Sequence, residues 1–171
     1  MAADASEHLI TEAMRGLIGQ VQQRRSSYPV SASDIRRWAI AIYYPDPAPE
    51  AFLRVGAVVG EEPLTAPEEF NPFAWATPGP SGAVAYTGPR YLEERAGITP
   101  PPINFIVNGG TECQYGVPMR EDDVITGEFS IKSYAQKQGK RGPLLITETE
   151  DRWTNQRGEL VRSTVQTLVR S

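Results

Sequence analysis

A chain of 171 residues, 40% hydrophobic and 22% charged, has the length and composition of one globular domain with a sizeable core. Seventeen Lys and Arg against 21 Asp and Glu leave a net charge of −4, which argues against a dedicated nucleic-acid binder with its strongly basic face. One cysteine, Cys113, excludes an intramolecular disulfide framework, one histidine, His8, excludes a histidine metal cluster, and no apolar run reaches the roughly 20 residues of a membrane helix.

The lone cysteine fits a reducing compartment, and the amino terminus lacks a basic-then-apolar leader pattern, so a cytoplasmic location is expected. Residues 1–20 read as a helical arm and 21–171 as a single domain. Asp4 and Glu7 have the spacing of an acidic capping box. Leu9, Ile10, Ala13, Met14, Leu17, Ile18 and Val21 then form one apolar helical stripe, weakened at its end by Gly16 and Gly19. That stripe either packs on its own domain or docks on a partner subunit. The Tyr28-Pro29-Val30 stretch suggests a short strand. Ser33 as N-cap with Asp34 in the first turn opens a second helix through Ile35, Trp38, Ala39, Ile42 and Tyr43. Pro45, Pro47 and Pro49 end it.

From Ala48 to Pro102 the chain is rich in proline and glycine, with few clear periods. The aromatic cluster Phe70-Asn71-Pro72-Phe73-Ala74-Trp75 argues for an ordered region covering a pocket rather than for disorder. The remainder reads as strands: Asn104 to Met119, with Gly109-Gly110 permitting a bulge; Asp122 to Tyr134; Leu144 to Asn155; and Leu160 to Arg170. Gln136 to Gly142 reads as a hairpin tip, and Thr154 to Glu159 as a turn in which Gly158 supplies a positive φ. Helices first and antiparallel strands last give an α+β order.

The run Asn108-Gly109-Gly110-Thr111-Glu112, then Tyr115, Pro118 and Asp122-Asp123-Val124-Ile125, resembles the sheet of MaoC-like dehydratases, in particular the fungal-synthase-like dehydratase domains. Gly142 to Thr149 and Thr154 to Val161 extend the resemblance, and Ile35-Arg36-Arg37-Trp38-Ala39 leading into Tyr43-Tyr44-Pro45-Asp46-Pro47 resembles the family's first helix and active-site turn. The resemblance implies a hot-dog fold, a curved antiparallel sheet wrapped around a central helix, here near Asn71–Ala76 or Pro89–Ala96. It also implies pairing edge to edge and an acyl thioester of coenzyme A or of a carrier protein as substrate, with no further cofactor. The implied reaction is the addition of water to a 2-enoyl thioester or its removal from the 3-hydroxyacyl form.

That chemistry needs an acid–base pair and a donor to the thioester oxygen. Hydrating members of the family carry Gly-Asp-x-Asn-Pro-x-His. Over this sequence the Gly falls at Tyr43, the Asp at Tyr44, the Asn at Asp46, the Pro at Pro47 and the His at Pro49. Proline has no acid–base function, and a tyrosine of ordinary pKa, about 10, is a poor base at neutral pH. The resemblance therefore implies a substrate-binding partner of a second hot-dog subunit with an intact Asp-His turn, in a heterodimer or heterotetramer. Two alternatives stand beside it: a self-sufficient homodimeric hydratase or thioesterase using Asp46 or Glu50, and a non-enzymatic acyl-coenzyme A binder.

Asp46 and Tyr44 are weak catalytic candidates. Tyr44, Asn71, Trp75, Asn108, Gly109 and Gly110 are candidates for substrate binding, each with packing, capping or a bulge as the ordinary alternative. Lys132, Lys137, Lys140 and Arg141 are candidates for the coenzyme A phosphates, against the alternative of a solvated hairpin. Cys113 has no histidine to activate it.

Overall fold

The computed structural model describes residues 8–55, 63–74, 91–103, 105–140 and 142–171. Five antiparallel strands form one sheet in the order β1-β3-β4-β5-β2: β1 Val21–Ser26, β2 Ile106–Tyr115, β3 Thr126–Gly139, β4 Gly142–Thr154 and β5 Leu160–Arg170. Among the described residues three short helices accompany it, α1 Glu12–Gly16, α2 Ala32–Tyr43 and α3 Leu92–Arg95, with one 3-10 turn at Glu50–Phe52.

The amino-terminal stripe is not one helix. α1 begins at the N-cap Thr11, whose hydroxyl accepts from Met14 N at 3.2 Å, and ends at Leu17, and Gly19 at φ 77° turns the chain into β1. Val21 pairs with Ser130 instead of continuing the helix. Leu9 and Met14 are buried against Leu145 of the sheet. The first strand is thus Val21–Ser26, not the Tyr28–Val30 stretch; its polar Gln22-Gln23-Arg24-Arg25 run suits a sheet edge and hides the strand from a search for apolar alternation. Asp4 and Glu7 lie outside the described residues.

α2 begins two residues earlier than Ser33 suggests. Ser31 Oγ accepts from Asp34 N at 3.0 Å and donates to the Asp34 carboxylate. Ile35 and Ala39, one helical turn apart, are fully buried. The helix stops because Tyr44, preceding Pro45, is extended at φ −55° and ψ 136°.

β3 starts later and runs further than the sequence suggests. Residues 122–125 precede the strand: the chain turns between Arg120 and Asp123, where Asp123 N donates to Arg120 O and the Asp123 carboxylate accepts from Arg120 N, and Asp122 N and Asp123 O then bond to the Val30 backbone. The polar residues Gln136 to Gln138 are strand, paired with β4 as far as Gly139–Gly142; polarity there marks a solvated strand end rather than the hairpin tip. The Asn155 turn forms as expected, with Gly158 at φ 78° donating to Asn155 O at 2.9 Å.

Of the two stretches in which a central helix is expected, the described part of Asn71–Ala76 is a turn, in which Asn71 Oδ1 accepts from Phe73 N. The described part of Pro89–Ala96 holds the single turn of α3. The longest described helix is α2.

The helices lie over one face of the sheet and split its core in two. At one end Trp153, Ile125 and Val161 pack with Ile35 of α2, Leu64 and Phe70, and Phe73 meets Trp153 edge-to-face at 5.0 Å. At the other end Leu145 packs with Leu9 and Met14, with Tyr134 and Ile103 alongside. Gly116 is fixed by close approach: a Cβ there would lie 2.0 Å from the Leu160 carbonyl oxygen.

Candidate functional site

The turn that follows α2 places every candidate at the surface. Tyr44 is 81% exposed. Asp46 and Glu50 are exposed as well; the Asp46 backbone closes the turn by donating to Tyr43 O at 2.8 Å. Tyr43 stacks on Phe52, ring centroids 6.1 Å apart, which ties the turn to the following 3-10 segment. Ile40 and Ile42 are exposed beside it. The turn is therefore an apolar, outward-facing surface bearing two solvated carboxylates.

The two buried carboxylates of the described residues lie elsewhere, and both are fully engaged. Glu93 of α3, 1% exposed, faces Arg170 of β5, 4% exposed at its side chain, through two hydrogen bonds of 2.5 and 3.1 Å. It also accepts from Tyr134 Oη at 2.9 Å, while Arg170 donates to Thr147 Oγ1 at 3.2 Å. Burial works against the Glu93 charge, but the bonds from Arg170, from its own backbone and from Tyr134 outweigh it, holding the carboxyl below its ordinary value. Burial, with Glu93 next to it, pushes the Tyr134 phenol up, so it stays a donor. Asp123 accepts from Gln156 Nε2 at 3.0 Å, Arg157 Nη1 at 3.1 Å and Arg120 N at 2.9 Å. The two sequence stretches Asp122–Ile125 and Asn155–Glu159 are thus joined structurally, at the side of an open cavity of about 480 Å³. Neither buried acid is available as a base.

Asn108, Gly109 and Gly110 lie on β2, at the edge of the sheet. The register with β5 shifts between Asn108 and Gly110, so this is a bulge, in which Asn108 Oδ1 accepts from Gly110 N at 3.0 Å. A Cβ on Gly109 would come within 3.0 Å of Val169. From Val107 to Tyr115 every residue of this ten-residue strand is exposed, and among the described residues only β5 flanks it. Cys113, also exposed, lies 3.6 Å from Thr164 Oγ1.

The candidate cations do not form one cluster. Lys132 occupies the bulge of β3, between Ile131 and Ser133, while Lys137 is five residues, about 17 Å, further along the strand. Lys137 and Lys140 are exposed near the β3–β4 turn; Arg141 and Trp75 lie outside the described residues. Asn71 holds its own turn beside the aromatic core.

Sequence reasoning missed two features of the helix-bearing face. Arg162 lies over Trp153, its guanidinium carbon 3.6 Å from the ring centroid, with its Nε buried and unpaired, and burial lowers its pKa. The Glu93–Arg170 pair joins residues 77 apart in sequence. No described residues form a group able to hold a metal ion, and no described helix is long and apolar enough to cross a membrane.

A family model described as FAS1-like, dehydratase domain region, matches residues 16–164. No curated protein matches the chain. Among solved structures, the ChsH1-ChsH2 complex from Mycobacterium tuberculosis is similar at 18% identity and a TM-score of 0.60, over 94% of this chain and 89% of that one. A MaoC-like dehydratase from Rhodospirillum rubrum is similar at 21% identity and a TM-score of 0.46, over 88% and 92%. The HadBC 3R-hydroxyacyl-ACP dehydratase complex from Mycobacterium tuberculosis gives 19%, 0.48, 86% and 94%. The five-stranded antiparallel sheet with its few helices is a hot-dog fold.

Proposed function

We propose that this chain, which belongs to the FAS1-like dehydratase domain region family, is the substrate-shaping subunit of a two-subunit enoyl-thioester hydratase or 3-hydroxyacyl-thioester dehydratase. The observation that carries the reading is the site's missing acid–base pair. Tyr44 and Pro49 stand in the turn where hydrating members place Asp and His, and both buried carboxylates of the described residues are saturated by hydrogen bonds. Hydration needs a positioned base and acid, so a second hot-dog subunit with an intact Asp-His turn supplies them. The exposed strand β2 gives that subunit a place to pair, by main-chain hydrogen bonding along an open edge. The similar ChsH1-ChsH2 structure is itself a complex of two chains. In this reading the acyl thioester of coenzyme A or a carrier protein lies at the seam. One subunit moves protons, and this one shapes the acyl pocket, in the cytoplasm.

The test is reconstitution. The purified chain is expected to hydrate medium-chain and ring-bearing 2-enoyl-coenzyme A thioesters no faster than buffer. Co-expression with a hot-dog subunit bearing the Asp-His turn is expected to give a co-purifying complex with measurable turnover. Turnover by the chain alone on any of these thioesters overturns the reading.

A further inference from the structure

The helix-bearing face of the sheet is apolar at its two ends and polar between them. At one end Trp153 joins the core of α2; at the other Leu145 joins that of α1. Between these clusters cross-strand pairs place Thr149 opposite Gln166, and Asp151 opposite Thr164. A groove of about 280 Å³ opens here, running from β1 across β3 and β4 to β5 under the edge of α3. Its walls are Leu92, Phe129 and Leu168, and its polar lining is Gln23, Thr149, Gln166 and Arg95, the last of which is already engaged within the protein. Gln23 and Gln166 are exposed, and no described side chain engages either carboxamide.

We infer, on the strength of the subunit role above, that this groove selects acyl groups carrying a hydroxyl or carbonyl oxygen on a bulky apolar body, in preference to plain hydrocarbon chains. The three apolar walls bury a ring or branched chain. Each carboxamide offers both a donor and an acceptor, and the Thr149 hydroxyl adds another of each. A hydrocarbon ligand would strip water from these groups and return nothing, whereas an oxygenated one replaces the lost bonds. A site that hydrogen-bonds its ligand discriminates against the analogue lacking the group far better than an apolar pocket discriminates by size.

The experiment compares two coenzyme A thioesters of matched shape, 3-(4-hydroxycyclohexyl)propanoyl and 3-(4-methylcyclohexyl)propanoyl. Calorimetry is run on the full chain, alone and with its catalytic partner. The hydroxyl compound is expected to bind about tenfold more tightly, and the double substitution Gln23→Leu/Gln166→Leu to bring the ratio to about one or below. Both positions are exposed, and an unchanged unfolding midpoint verifies that the variant is folded. Equal binding of the two compounds, no binding of either, or a preference that survives the double substitution overturns the inference. Reconstituted hydration is read separately. Its failure with the preference intact removes the subunit role alone, and its success with no preference removes only the groove's selectivity.

Discussion

Placing two lysines on the open edge, Val107→Lys with Thr111→Lys, is expected to prevent the proposed pairing, leaving a monomer, and to abolish reconstituted hydration. β2 is ten residues long, has a neighbour strand on one side only among the described residues, and exposes all but its first residue. Such a strand leaves a row of main-chain donors and acceptors unpaired, and natural sheets blunt such edges with lysine or proline, or cover them. This one carries Val107, 41% exposed, and no lysine or arginine within Ile106–Tyr115. Two ammonium groups on one edge, four residues apart and on either side of the bulge, must be desolvated when a partner strand arrives, and in a symmetric pair they also repel. The dissociation constant is expected to rise by about 100-fold or more. Neither residue belongs to a core cluster, so the folding free energy should stay within about 0.5 kcal/mol of the parent. Light scattering after gel filtration reads the mass directly. A variant that remains paired would show that the seam lies elsewhere.

Glu93→Gln is expected to cost about 3–5 kcal/mol of folding stability. The pair it breaks is buried on both sides and supports a network that includes Tyr134 and Thr147. Removing the carboxylate leaves the Arg170 guanidinium in the interior without a counter-charge. Replacing both partners together, Glu93→Met with Arg170→Met, should recover most of the loss, because an apolar pair needs no desolvated charge. Urea unfolding of the three proteins checks this; a double variant as unstable as Glu93→Gln contradicts it. The pH dependence has a definite sign. Glu93 titrates lower in the folded protein than in the unfolded chain. Its stabilisation is therefore complete above the unfolded value, about 4.3, and disappears as pH falls through the lower folded value. Tyr134 is shifted upward. Its contribution is complete below about pH 10 and is lost as pH rises beyond that.

Much of the sheet was legible in the sequence because its local chemistry is unambiguous. β4 and β5 alternate and meet at a turn whose Asn155 side chain accepts from Arg157 N and Glu159 N, with Gly158 left-handed. α2 was legible from Ile35 and Ala39 and from the proline that ends it. β1 was not, because an edge strand needs no apolar face, and Gln22 to Arg25 look like loop. The cap of α2 was misplaced because Ser31 and Ser33 are chemically equivalent, and only the approach of the chain decides which hydroxyl reaches Asp34 N. The departure of Tyr44 and Pro49 from the hydrating motif needs no structure to read, since residue identity is a property of the sequence. The Glu93–Arg170 pair was not: a glutamate in a Leu-Glu-Glu-Arg helix suggests a solvated ion pair, and only the topology carries it to a strand 77 residues away. The polar middle of the helix-bearing face was hidden for the same reason, since register decides which threonines and glutamines share a row.

The central claim is that proton transfer comes from across the seam. It is tested most directly by assaying enoyl-thioester hydration in the assembled complex after neutralising each subunit's carboxylates in turn. With Asp46→Asn and Glu50→Gln in this chain the rate is expected to stay within about twofold of the parent complex. With the aspartate of the partner's Asp-His turn changed to asparagine it is expected to fall by at least about 100-fold. The reverse pattern, loss of turnover with this chain's carboxylates neutralised and retention with the partner's aspartate removed, would contradict the account.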